Sequence, residues 1–272
     1  MSSHRAQTQP PKAVTRARRR FGRGTSRLES ITSAERFDQR DDLRMARDFQ
    51  RSLLPPIPEE YRGVRMAAAY YPAFDIGGDF YELLVEPDRL LVVIGDVAGK
   101  GVAAAMVMSR IMAEFRRYGH ERLQPHELLA TVNDVFVNAD LGGRFVTACC
   151  VELEFATGKV SIANAGHVPA LLRRANGEVA VCGDASGAPL GLFEGETYRT
   201  ETVECDPDDI LVLVTDGVTE ALEPKADPAS GVLTSLMRRA EHDVRLLARD
   251  IVNSVTVGAK GLDDVALFAV QL

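Results

Sequence analysis

Two apolar runs in this chain end in the same way. "LLVVIGDVAG" (90–99) closes on Asp96 between two glycines, and "ILVLVTDGVTE" (210–220) closes on Asp216-Gly217. Runs of Leu, Ile and Val bounded by glycine read as strands buried on both faces. An aspartate at the end of such a strand emerges at the end of a sheet, beside a tight turn. Gly78-Asp79 and Asp263-Asp264 put further acids where strands begin. The fold must therefore stack apolar sheets while delivering several carboxylates to their ends. One aspartate after a strand commonly caps a helix or shapes a turn. Four of them, each beside a glycine or a second acid, point to a shared task.

Around these runs the chain reads as an α+β protein. From Leu28 to Leu54, the residues Ile31, Phe37, Leu43, Met45, Phe49 and Leu53 describe an amphipathic helix with a broad apolar stripe, stopped by Pro55-Pro56. Strands are expected over 64–71, 80–85, 89–94, 145–155, 159–164, 170–174, 179–182, 197–204, 209–215 and 264–272. Helices are expected over 101–118, 125–139, 232–241 and 244–257. Strands in runs, broken by pairs of helices, favour a layered α+β fold over a doubly wound parallel sheet. The expected organisation is a disordered basic tail over 1–28, an amphipathic helical segment over 29–56 and a catalytic domain over 57–272. The helix either packs on its own domain or serves for coupling and dimerisation.

Charge narrows the function classes. The 272 residues carry a formal net charge of -7, but residues 1–28 hold eight Arg or Lys and no acid, which leaves -15 on the rest. An acidic body lacks the basic face that a phosphate backbone requires, which argues against a nucleic-acid-binding domain. No apolar run approaches the ~20 residues of a membrane span, and the N-terminus lacks the apolar core of a secretory signal. A cytoplasmic protein without an integral membrane segment is expected. Cys149, Cys150, Cys182 and Cys205 show no C-x-x-C spacing and are expected as buried, reduced thiols.

Four acids at strand ends suit a hard cation. Mg²⁺ and Mn²⁺ favour carboxylate oxygens and keep some of their waters. Two such ions roughly 3.5–4 Å apart can clamp a phosphoryl group during in-line attack. Zinc fits less well, because the five histidines show no ligand spacing. "GDVAGKG" (95–101) is not a phosphate-cradling loop of the usual kind, since Gly95 and Gly99 enclose three residues and no Ser or Thr follows Lys100.

Six stretches in order carry a resemblance: "GGDFYE" (77–82), "GDVAGKG" (95–101), "NAGHVP" (164–169), "GAPLG" (187–191), "LVTDGVTE" (213–220) and "DDVALF" (263–268). Together they resemble the SpoIIE/RsbU-type branch of the PPM metal-dependent serine/threonine phosphatases. "MARDFQRSLLPP" (45–56) is similar to the segment that precedes the catalytic domain in that branch. The resemblance implies a four-layer αββα sandwich with two Mn²⁺ or Mg²⁺ ions between its sheets. It implies Asp79 on one metal, Asp96 bridging both, the Val97 main-chain carbonyl on the second, and Asp216 and Asp263 completing the set, with Asp264 as the alternative to Asp263. The implied reaction is hydrolysis of a phosphoserine or phosphothreonine ester by metal-activated water, without a phosphoenzyme. His167 is a candidate for catalysis or substrate contact, while Asn164 and Thr147 are expected to support neighbouring strands. The final motif often carries Ser or Thr where this chain has Ala266.

The implied substrate is a phosphorylated anti-anti-sigma (STAS) protein of a partner-switching pathway, with a regulatory partner or a second copy acting at residues 28–54. Two other classes stay open on sequence alone. One is a pseudophosphatase adaptor that binds a phosphoprotein, and the other is a hydrolase of small phosphate esters.

Overall fold

A computed structural model describes residues 41–139, 141–184, 187–222, 231–239, 243–256 and 263–272. Residues 41–53 are helical and form α1. The expected helix over 28–40 and the basic tail lie outside the described residues. Residues 42–272 make one compact unit.

Two antiparallel sheets carry the structure. One has six strands in the order β1 (Glu60–Tyr61), β2 (Val64–Tyr71), β11 (Val265–Gln271), β10 (Ile210–Val214), β7 (Ala170–Arg173) and β8 (Val179–Cys182). The other has five, in the order β3 (Phe80–Val85), β4 (Arg89–Val97), β5 (Val146–Glu154), β6 (Lys159–Ala165) and β9 (Thr200–Glu204). Alternation along β4 explains the layering. Leu91, Val93 and Val97 face α2 (Val102–Gly119) and α3 (Pro125–Val137), where Met108, Ile111, Phe115, Val132 and Phe136 are buried. Leu90, Val92 and Ile94 face the other sheet and meet Leu211, Leu213, Phe268 and Val270. The outer face of the six-stranded sheet is covered by α4 (Asp216–Leu222), α5 (Val232–Arg239) and α6 (Val244–Thr256), through Val218, Leu233, Met237, Leu247 and Ile251. The result is an αββα sandwich with three apolar layers between four structural ones.

Several expectations shift on contact with packing. β4 runs to Val97, so Asp96 is the penultimate residue of the strand, paired across to Thr147, rather than a residue beyond it. The strand expected from 197 begins at Thr200. The short β1 and α4 carry too few residues for a periodic signal. On α1, Met45 and Phe49 are exposed, although both belong to the expected apolar stripe. The buried residue of α1 is Gln50, in its last turn. Cys149, Cys150 and Cys182 are buried free thiols, whereas Cys205 is half-buried.

Two polar groups are taken into the helix–sheet layer with full partnership. Arg89 donates to Glu86 at 2.9 Å, Glu152 at 2.5 Å and the Gly119 carbonyl at 2.6 Å. Glu82 accepts from Arg116 at 2.6 Å, yet its burial still raises its pKa above the usual carboxylate range. Gly95 is a packing necessity: a Cβ there would stand 2.5 Å from the Thr147 carbonyl and 2.6 Å from the Phe80 ring. Gly95→Ala is therefore expected to lower stability by about 1–3 kcal/mol, the usual cost of overpacking, measurable by urea denaturation.

Candidate metal centre

Antiparallel pairing gathers the acids. Phe80 pairs with Gly95, so the residue leading into β3 (Asp79) and the end of β4 (Asp96) share one end of the five-stranded sheet. Val214 pairs with Leu267, so the start of α4 just past β10 (Asp216) and the lead into β11 (Asp263 and Asp264) share one end of the six-stranded sheet. Asp96 lies on the same face of β4 as Ile94, the face turned to the second sheet. The two sheet ends meet there: Asp79 feels the charges of Asp96 and Asp264, Asp96 feels those of Asp216, Asp264 and Asp263, and Asp216 feels that of Asp263.

The geometry separates the two acids of the last motif. Asp264 accepts the Gly78 N–H at 2.6 Å and the Ala73 N–H at 2.7 Å, so both of its oxygens are engaged in holding the loop that carries Asp79. Gly77 is required beside it, because a Cβ there would overlap the Asp264 carboxylate. Asp263 is more open; one oxygen accepts the Asp264 N–H at 3.0 Å and the other meets the Lys100 ammonium at 3.0 Å.

Asp79 is buried and accepts a 2.6 Å hydrogen bond from the Thr215 hydroxyl. Burial, then the Asp96 charge, pushes its pKa well above the carboxylate norm. Asp96 is pushed up to about 6, by burial and then by Asp216. Asp216 is raised by burial and then by Glu220 and Asp263. Such shifts mark carboxylates crowded past what their surroundings can neutralise.

Among the described residues, no three His, Cys, Asp or Glu side chains form a ready-made metal cage. The carboxylates form an open set whose fit to a cation rests on Gly78. A Cβ at that position would come within 2.9 Å of the Val97 carbonyl and 3.1 Å of Asp96 Oδ1. The missing side chain thus leaves a cradle walled by a main-chain oxygen and a carboxylate. Donors that are all oxygen, with room for waters, match Mg²⁺ or Mn²⁺.

His167 stands apart from the acids. It is fully buried, its Nδ1 lies 2.9 Å from the Thr147 hydroxyl, and burial lowers its pKa to about 4. Nε2 makes no hydrogen bond of good geometry, the Val214 carbonyl being the backbone acceptor near it. Asn164 closes the turn by accepting the His167 N–H at 2.7 Å and donating to the Gly183 carbonyl at 2.8 Å. Asn164 and Thr147 thus support the strands, and His167 bridges the sheets as a neutral imidazole.

Two neighbours of the acids went unnoticed in the sequence. Thr215 had a signal, a hydroxyl at the end of an otherwise apolar run. Gln50 had none, since a glutamine within a charged helix reads as surface. Its amide grips Gly77 from both sides, donating to the carbonyl at 2.7 Å and accepting the N–H at 3.1 Å.

A buried neutral imidazole makes a signed prediction. With a folded pKa near 4 and an unfolded value near 6.5, His167 binds its proton more readily in the unfolded chain. Stability should fall as pH drops through 6.5 towards 4, by about 3 kcal/mol from this group. His167→Gln should flatten that part of the pH profile in chemical denaturation.

Comparison with known proteins agrees with this architecture. The family model described as "Stage II sporulation protein E (SpoIIE)" matches residues 86–272. Phosphoserine phosphatase RsbP of Bacillus subtilis is 27% identical over 220 residues, covering 74% of this chain and 54% of that protein. Phosphoserine phosphatase RsbU of the same organism is 26% identical over 182 residues, covering 66% and 54%. The chain spans about half the length of these relatives. Among solved structures, the SiaA-PP2C domain of Pseudomonas aeruginosa superposes with a TM-score of 0.75 at 20% identity, over 88% of this chain and 99% of that one. The RsbU and RsbW domains of Rv1364c from Mycobacterium tuberculosis give 0.64 at 28% identity, over 76% and 59%. With the family model matching more than half its length, this chain belongs to the SpoIIE family, and it has the PPM phosphatase fold.

Proposed function

We propose that the chain is a metal-dependent protein serine/threonine phosphatase. The observation that carries this reading is the meeting of Asp79, Asp96, Asp216 and Asp263 from two sheets at one end of the sandwich, around the cradle left by Gly78. Asp79, Asp96, the Val97 carbonyl, Asp216 and Asp263 would hold two Mn²⁺ or Mg²⁺ ions. Bound there, such ions polarise phosphoryl oxygens and acidify water at neutral pH. Asp264 keeps the Asp79 loop in place, and Lys100 offsets part of the carboxylate charge at Asp263. His167, neutral behind Thr147, serves as a support, and the proton for the leaving serine oxygen comes from solvent. Likeness to two proteins named phosphoserine phosphatases supports the reaction class.

For the substrate we infer a phosphorylated anti-anti-sigma (STAS) protein, with regulation through residues 28–54 by a partner or a second copy. A shift of α1 would reach Asp79 through Gln50, Gly77 and Gly78. Gln50→Ala is expected to raise the Mn²⁺ concentration needed for half-maximal activity about tenfold, within the range seen for residues that orient metal ligands. A titration of rate against Mn²⁺ reads this directly.

The decisive measurement is phosphate release from an aryl phosphate and from a phosphorylated STAS protein, with and without Mn²⁺. Turnover should require Mn²⁺ and fall in Asp96→Asn by more than the 10–100-fold typical of outer residues, that is by roughly 1,000-fold. Mn²⁺ binding without turnover on either substrate would point to an adaptor, and turnover confined to small esters would overturn the protein-phosphatase reading.

A further inference from the structure

We infer that Thr215 is the positioning residue that orients Asp79. The inference rests on the metal-phosphatase reading and concerns a residue to which that reading gives no role. A threonine hydroxyl has one proton to donate and lone pairs to accept with. The Ala266 N–H donates to Thr215 Oγ1 at 2.9 Å and takes up the accepting side. The proton then has two acceptors in reach, Asp79 Oδ2 at 2.6 Å and the Ala266 carbonyl at 3.4 Å, and the short contact to a carboxylate is much the stronger. Its direction is therefore set by the backbone of β11.

Burial makes the arrangement exacting. Thr215 is 0% exposed and Asp79 1% exposed, so no solvent replaces a lost partner. Thr215 directly follows β10 of the six-stranded sheet, while Asp79 leads into β3 in the five-stranded one. This hydroxyl thus ties the Asp79 carboxylate itself to the other half of the acid cluster, while Asp264 holds the backbone of the same loop. The β-branched side chain holds its χ1 stiffly, which suits a group that must aim. Ala266 is itself completely buried and offers only its main chain, which it lends to Thr215.

The test uses the full chain stripped of metal with a chelator, titrated with Mn²⁺ by calorimetry, beside thermal melting of the same samples. Thr215→Val keeps the shape and removes the hydroxyl; Thr215→Ser keeps the hydroxyl. The valine variant is expected to bind Mn²⁺ about 10–100-fold more weakly, and the serine variant to stay within about threefold of the parent chain. If valine binds Mn²⁺ as tightly as the parent, with only a lower melting temperature, Thr215 is merely structural and the inference falls. If serine binds as weakly as valine, the hydroxyl is not the agent and the inference also falls. Should the valine variant not fold, Thr215→Ala gives the same comparison with serine. A parent chain that takes up no Mn²⁺ would instead sink the metal-centre reading itself, a result distinct from either of these.

Discussion

Crowding of like charge at one end of the sandwich is the constraint to which the surrounding structure answers. Two carboxylates about 4 Å apart repel by about 4 kcal/mol at the effective dielectric of a protein surface. Their charges alone would drive the acids apart. Each is delivered by a strand that is buried for other reasons, and each fully buried Val, Leu or Ile contributes roughly 1.5–3 kcal/mol. All five residues of β10 and seven of the nine in β4 are both apolar and buried or close-packed glycine. Strand burial on that scale outweighs the repulsion, so the sheets set the position of the acids.

Much of this was legible in the sequence because both signals are local. An apolar run that stops at Asp-Gly names a buried strand and its exposed end at once, and the order of such runs in the chain indicated the layered class. The extent of β4 was not legible. Asp96 looks like a residue beyond the strand because it is charged, yet pairing with Thr147 keeps it in the ladder. The preference for Asp263 over Asp264 came from the resemblance, since by local pattern adjacent acids are equivalent; only in space do Gly78 and Ala73 present their N–H groups to Asp264. Gln50 shows the same limit from the other side: its partners lie 27 residues away, and no spacing rule connects them.

The histidine and the alanine invite opposite readings in sequence and in space. "NAGH" offers an imidazole beside the acid motifs, but its burial keeps it uncharged and its Nδ1 is directed at Thr147. Ala266 suggests a missing hydrogen bond near the acid cluster, but Asp79 receives one from Thr215. In both cases the sequence shows which groups are nearby, and the sheet geometry decides which of them act.

Gly77, Gly217 and Asp264 form a lock of a different kind. A Cβ at Gly77 would overlap the Asp264 carboxylate, and a Cβ at Gly217 would overlap the Asp264 main-chain carbonyl. The three positions lie in separate stretches of the chain, the outermost almost two hundred residues apart, yet none can acquire bulk while the others stay as they are. In terms of sequence drift they are one character spread over three sites. Their neighbours Asp79, Asp216 and Asp263 inherit that immobility, because the backbone that places them cannot wander one substitution at a time.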